Sequence, residues 1–195
     1  MNDEIRVYRP YTKNKELIYS LSEEGLPLSG WKLNLGCGRD IRDPSWGWIN
    51  LDKYPMDEMV YQWDIMEGSL PFENDQFKMI MAISFFEHIP HYSPNVDGEL
   101  MIALMNDLIR ISENGATWFI VTPSRAESLC APEHTRLVLE GTFDPWIREQ
   151  SSSEISLLCE RGSLEITQVI NFRQWTPNKY FGRTFGKLFR IKVIK

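Results

Sequence analysis

The run Lys32-Leu-Asn-Leu-Gly-Cys-Gly-Arg-Asp40, followed by Ile49-Asn-Leu-Asp52, constrains this chain more than any other feature. It predicts two short apolar strands. The first ends in a glycine-bearing turn, the second in a carboxylate sixteen residues beyond Gly36. Glycines such as Gly36 and Gly38 adopt backbone angles closed to other residues and let a ligand come close to the main chain. A carboxylate in the place of Asp52 reaches a ribose diol in nucleotide-binding α/β folds.

The alternation continues downstream. Leu33–Leu35, Trp48–Asp52, Met59–Trp63 and Met79–Ile83 read as strands one to four, the last an unbroken apolar run of the kind buried on both faces. A helix follows from about Asp97 to Ser112, with apolar residues at 100, 104, 105, 108, 109 and 111, and Gly115 stands where a left-handed cap would close it. Trp118–Val121 reads as strand five. Leu164–Phe172 and Phe189–Ile194 read as strands six and seven, paired antiparallel across an aromatic and basic loop. Further helices are predicted from Lys13 to Glu24, within a lead-in of residues 1–30, and from Ser153 to Arg161, closed by Gly162. Residues 124–150, with Pro132 and Pro145, read as irregular. The sum is an α/β protein: a doubly wound, seven-stranded sheet, mostly parallel, with a C-terminal antiparallel hairpin. Residues 31–195 form one domain, with a cofactor half at 31–123 and an acceptor half at 124–195.

No apolar run approaches the roughly 18–20 residues of a membrane span, so no membrane partner is expected. The acidic Met1-Asn-Asp-Glu start lacks the apolar stretch of a secretory signal. Cys37, Cys130 and Cys159 are odd in number and without metal-ligand spacing, which argues against a disulfide framework or structural zinc and for a reducing cytoplasm. Charge is uneven: Asn171 to Lys195 holds seven basic residues and no acidic one, in a chain of net charge −6. That segment suits an anionic substrate, or is a solvated edge hairpin.

A dinucleotide fingerprint would need glycines at 36, 38 and 41, but position 41 is Ile. Asp64 and Asp75 leave the region acidic, favouring a cationic ligand over a diphosphate. Nicotinamide and flavin cofactors are therefore disfavoured.

Five landmarks together resemble the cofactor half of class I S-adenosylmethionine-dependent methyltransferases: LNLGCG (33–38), GWINLD (47–52), WD (63–64), SLPFENDQFKMIMAISFFEHIP (69–90) and ISENGATWFIVTP (111–123). They stand in the family's order and cover about half of the chain. A narrower similarity points to small-molecule enzymes associated with sugar and cell-envelope glycan modification. The resemblance implies a Rossmann-like methyltransferase fold with S-adenosyl-L-methionine as cofactor. It implies that Gly36, Cys37 and Gly38 pass beside the cofactor's methionine part and that Asp52 accepts from both ribose hydroxyls. Asp64 would accept from the adenine amino group, Ile65 would pack on the ring, and Ser84 and Phe85 would line the sulfonium end. Asn34 and Lys53 complete the expected cofactor set. The family usually has an acid at the position of Asn34 and a third glycine at that of Asp40; Asp40 is a candidate to restore the missing charge.

Methyl transfer to an oxygen of high pKa needs a base. His88, beyond strand four, and His134, after strand five, are the candidates, while His91 reads as a surface residue. No metal set is expected. The acceptor is expected to be a small molecule bearing a hydroxyl or amine, such as a sugar. Nucleic acid is disfavoured: Ser84-Phe-Phe-Glu87 replaces the Asn/Asp-Pro-Pro-aromatic segment that exocyclic-amine enzymes use, and only the basic, aromatic 173–190 stretch fits phosphates and bases. The rival readings are a nucleic-acid methyltransferase using that stretch, a nicotinamide or nucleotide-sugar enzyme on a related sheet, and a partner subunit that binds cofactor without catalysis. The aromatics at 175–189 suit an oligomer contact as well as a substrate clamp.

Overall fold

The computed structural model describes residues 31–96, 98–123, 132–138, 140–147, 162–175 and 183–195. The predicted helices at 13–24 and 153–161 and the loop tip at 176–182 lie outside the described residues.

Among the described residues seven strands form one sheet: β1 (Lys32–Leu35), β2 (Trp48–Asp52), β3 (Val60–Gln62), β4 (Phe77–Ile83), β5 (Ser112–Pro123), β6 (Ser163–Trp175) and β7 (Arg183–Ile194). Their order is β3-β2-β1-β4-β5-β7-β6. The first five pair in parallel, β7 runs antiparallel to β5, and β6 antiparallel to β7. The expected mixed sheet with a terminal antiparallel hairpin is therefore observed. Because β1 has β2 on one side and β4 on the other, the chain reverses direction there and leaves a crevice at the strands' carboxyl ends.

The core unites both halves of the chain. Leu33, Leu35, Leu51, Ile80, Trp118, Ile120, Phe189 and Ile191 are buried in one cluster with the helix residues Leu104, Met105 and Leu108. β4 is not buried on both faces as expected. Phe77, Ile80 and Ala82 are buried, but Met79 and Met81 are half-buried and Ile83 is 37% exposed.

The helix α1 (Leu100–Ile111) starts later than its periodicity suggests, because the Glu99 carboxylate caps it by accepting from the Ile102 N–H. Its other end corrects the expected glycine cap. Ser112, extended at φ −85° and ψ 139°, ends the helix and donates from its hydroxyl to the Leu108 carbonyl at 2.7 Å. The same hydroxyl accepts from Trp118 Nε1 at 2.9 Å. The serine hydroxyl thus satisfies one of the carbonyls left open at the helix end. Gly115, at φ 84°, sits instead where the β4–β5 register slips from Phe77 opposite Ser112 to Met79 opposite Thr117. β5 therefore begins six residues before its expected start at Trp118, with Ala116, Trp118, Ile120 and Thr122 turned inward.

Within the region read as irregular, Glu140–Trp146 forms a 3-10 run. Phe143 packs edge-on between Phe86 and Phe189, at centroid distances of 6.1 and 5.1 Å. The segment after β5 is thereby tied to the segment after β4, which borders the crevice.

Candidate functional site

A cleft of about 400 Å³ opens at the crevice between β1 and β4, within the size range of small-molecule sites. Gly36, Gly38, Asp52, Lys53, Asp64, Ile65, Ser84, Phe85 and His88 all line it, so the structure brings most of the sequence-derived set together.

Asp52 is held from both sides. One carboxylate oxygen accepts the Gly38 N–H at 2.8 Å and the other accepts the Tyr54 N–H, also at 2.8 Å. Two fixed N–H donors orient the group and leave a lone pair on each oxygen for a further donor. Gly38, at φ 50°, has nothing within 4 Å of where a Cβ would stand, so the main chain there is open to a ligand. Gly36 differs. At φ 64° it lies directly beneath the Phe85 ring, whose Cγ stands 2.9 Å from the position a Cβ would take. The close approach that this glycine allows is used by a side chain of the protein itself.

Phe85 is placed there by strained backbone. Ser84 adopts φ 50°, unfavourable for a residue with a Cβ, while its N–H donates to the Val121 carbonyl at 2.8 Å. The left-handed turn at the end of β4 directs the Phe85 ring back over the glycine turn.

Asp64 and Lys53 form an ion pair at 2.7 Å on the cleft wall. The other Asp64 oxygen caps the turn Ile65–Glu67 by accepting the Met66 N–H at 3.0 Å. The bond from Asp64 raises the Lys53 pKa. Ile65 is half-buried against the core edge.

Three expected residues stand apart from the cleft lining. Asn34 is buried beneath it, where its amide donates to the Asp40 carbonyl at 2.6 Å and to Asn50 Oδ1 at 3.0 Å. Asn50 continues the network by accepting the Arg42 N–H and donating to the Arg42 carbonyl. The two amides fasten the glycine turn to β2, a structural task in place of a charge. Cys37 is buried beside Ile41 and Val60, and burial, aided by the charges of Asp52 and Asp40, pushes its thiol pKa far up. It is a small apolar packing group. Asp40 does not restore the missing charge to the cleft, because its carboxylate pairs with Arg42 at 2.8 Å.

His134, the third residue outside the lining, lies beside His88 with ring centroids 4.7 Å apart. The chain after β5 is clamped onto the chain after β4. The Thr135 N–H donates to the Glu87 carbonyl, its hydroxyl to the Ile89 carbonyl, and Arg136 to the Ile89 and Pro90 carbonyls and the Glu99 carboxylate. His88 Nδ1 lies 3.2 Å from the Glu133 carbonyl oxygen. Glu87 is buried under the two rings at 1% exposure. Burial raises its carboxyl pKa, opposed by the neighbouring histidines and the Ser84 hydroxyl. His91 is exposed beside Glu99, as expected.

Sequence reasoning passed over Tyr54, Trp63, Met66, Ile89 and Pro90 in the cleft lining. Each lies within two residues of a recognised landmark, which was the available signal. It also passed over Glu87 and Arg136, whose roles depend on contacts 37 and more positions apart.

No family model matches the sequence, and neither does any curated protein. Solved structures do match in fold. A methyltransferase from Bacillus halodurans superposes with TM-score 0.51 at 10% identity, covering 91% of this chain and 99% of that one. An S-adenosylmethionine-dependent methyltransferase from Methanosarcina mazei gives 0.50 at 13% identity, covering 84% and 92%. A structure solved for the conversion of a disulfide bond into a thioacetal group during echinomycin biosynthesis gives 0.50 at 16% identity, covering 95% and 83%. The chain has the Rossmann-like methyltransferase fold.

Proposed function

We propose that the cleft binds S-adenosyl-L-methionine and that the chain transfers its methyl group to a hydroxyl or amine of a small molecule, a sugar among the candidates. The observation that carries the reading is Asp52: a carboxylate at the end of β2, oriented by two backbone N–H groups, on the wall of a cleft at the sheet's switch point. Its free lone pairs suit the two hydroxyls of a ribose, as charge-assisted bonds of about 1.5–3 kcal/mol each. The protein from M. mazei, named as an S-adenosylmethionine-dependent methyltransferase, supports the choice of cofactor.

The cofactor supplies an activated methyl carbon on a sulfonium. This chain's residues do the rest. Gly38 leaves its backbone open beside the methionine part, and Ile65 offers an apolar face to the adenine. Asp64 accepts from the adenine amino group with the lone pairs left by Lys53 and Met66. Asp52 and Asp64 also give the cleft the negative character a sulfonium favours. Phe85 and Ser84 close the end beneath β4, where water is excluded and an acceptor is aligned. His88, on the cleft wall, and His134 behind it stand where a proton from the acceptor is received.

The test is incubation of the pure chain with methyl-labelled cofactor and cell extract split into small-molecule, glycan and RNA fractions. Label in a small-molecule product, lost with Asp52→Ala, is the expected result. Label in RNA alone, or none with cofactor bound, overturns the acceptor assignment.

A further inference from the structure

Glu87, His88 and His134 form a cluster that hydrogen bonding within the protein does not complete. Each offers one ligand atom, and the three atoms lie within 4.8 Å of one another. Two atoms of the cluster are orphaned: Glu87 Oε2 and His134 Nδ1 are both buried and without a hydrogen-bond partner among the described residues. A buried polar atom left unpaired is costly, and here two such atoms lie on adjoining groups. Glu87 is 1% exposed, so no bulk water relieves it.

We propose that Glu87, His88 and His134 bind a divalent transition cation of the zinc class at the rim of the cofactor cleft. Two imidazoles and one carboxylate are a recognised donor set for such an ion, with a fourth position left for an oxygen from water or substrate. The outer contacts are in place as well. His88 Nδ1 faces the Glu133 carbonyl, which fixes the ring and frees Nε2 as a lone-pair donor. Thr135 and Arg136 pin the segment carrying His134 against the chain that carries Glu87 and His88. With metal–ligand bonds of about 2.0–2.1 Å, ligand atoms on a tetrahedral ion stand about 3.3–3.5 Å apart, so side-chain movements of about 1 Å close the set. Because His88 also lines the cleft, the ion stands beside the acceptor's place; with the ion bound, His88 and His134 serve as its ligands instead of receiving the acceptor's proton, and the open position takes the acceptor oxygen. Ion binding itself needs no cofactor, so it stands or falls apart from the cofactor assignment.

The experiment uses the untagged chain, stripped with chelator and titrated with cobalt(II), whose visible d–d absorption reports coordination, then back-titrated with zinc(II). The expected result is one equivalent of cobalt bound with four- or five-coordinate bands and displaced by zinc. Glu87→Gln and His134→Ala should each weaken binding at least tenfold while S-adenosylhomocysteine affinity and cooperative unfolding persist. Absence of the bands in the wild-type chain overturns the proposal without recourse to any variant. Equal cobalt affinity in the wild type and both folded variants overturns it too, by placing the ion elsewhere.

Discussion

Replacing Gly36 by alanine separates two demands on the same glycine. The residue sits at φ 64°, and a left-handed backbone costs an ordinary L-residue about 1–2 kcal/mol. The smaller entropy of an unfolded alanine adds a further loss-offsetting gain of about 0.4–1 kcal/mol. Conformation alone therefore predicts a net loss near 1 kcal/mol. The second demand is space. The new Cβ would overlap Phe85 Cδ2 outright and stand 2.9 Å from Cγ and 3.1 Å from Cβ of that residue. Contact with Phe85 Cβ means that ring rotation alone does not relieve it, and the strained Ser84 turn behind Phe85 must shift. Overpacking of this kind costs about 1–3 kcal/mol more. Gly38 is the internal control: φ is 50°, but nothing stands within 4 Å of its missing Cβ. Urea unfolding should show Gly36→Ala destabilised by about 2–4 kcal/mol and Gly38→Ala by about 1 kcal/mol. In the double variant with Phe85→Ala, which removes the ring but keeps Cβ, the Gly36→Ala cost should fall by about 1–2 kcal/mol. Equal losses at the two glycines, or additive effects in the double variant, would refute the packing of Phe85 on Gly36.

Asp52→Ala should weaken S-adenosylhomocysteine binding at least tenfold by calorimetry with the fold intact; unchanged affinity would remove the ribose assignment. Ser112→Ala strands the Leu108 carbonyl and Trp118 Nε1 in the core and should lower stability by about 2–4 kcal/mol in urea unfolding. Cys37 gives a pH signature. Its folded pKa is raised by burial above the ordinary 9.0, so the stability it confers is complete below that pH and is lost as pH rises further. Relative to Cys37→Ala, wild-type stability should fall by about 1.4 kcal/mol per pH unit above that point, and native Cys37 should resist alkylation at neutral pH.

All seven strands and the antiparallel pairing of the last two were legible in the sequence, because buried strands announce themselves as short apolar runs and the glycine turn and Asp52 mark the first two. The strand order and the pairing of β7 with β5 were not read, and β7 begins at Arg183 in place of the expected Phe189. Boundaries were less so. The start of β5 was hidden because Glu113, Asn114 and Gly115 look like a loop, and only the Trp118–Ser112 bond shows why a strand begins before them. The apolar run at Met79–Ile83 suggested burial on both faces, yet composition does not report what covers each face. In the site, residues inside a local motif were readable one by one. Asn34 and Asp40 lie outside the cleft lining because their side chains are engaged by Asn50 and Arg42, partners no local pattern reveals. Glu87 was passed over for the same reason: its importance arises only when His134 is folded against it from 47 residues away.

The most direct test of the cofactor cleft is isothermal titration of the pure chain with S-adenosylhomocysteine, with NADH in a parallel run. Micromolar binding of S-adenosylhomocysteine alone, weakened at least tenfold by Asp52→Ala, is the predicted result. Binding of NADH in its place, or of neither ligand, would contradict the assignment of the β1–β4 crevice to this cofactor.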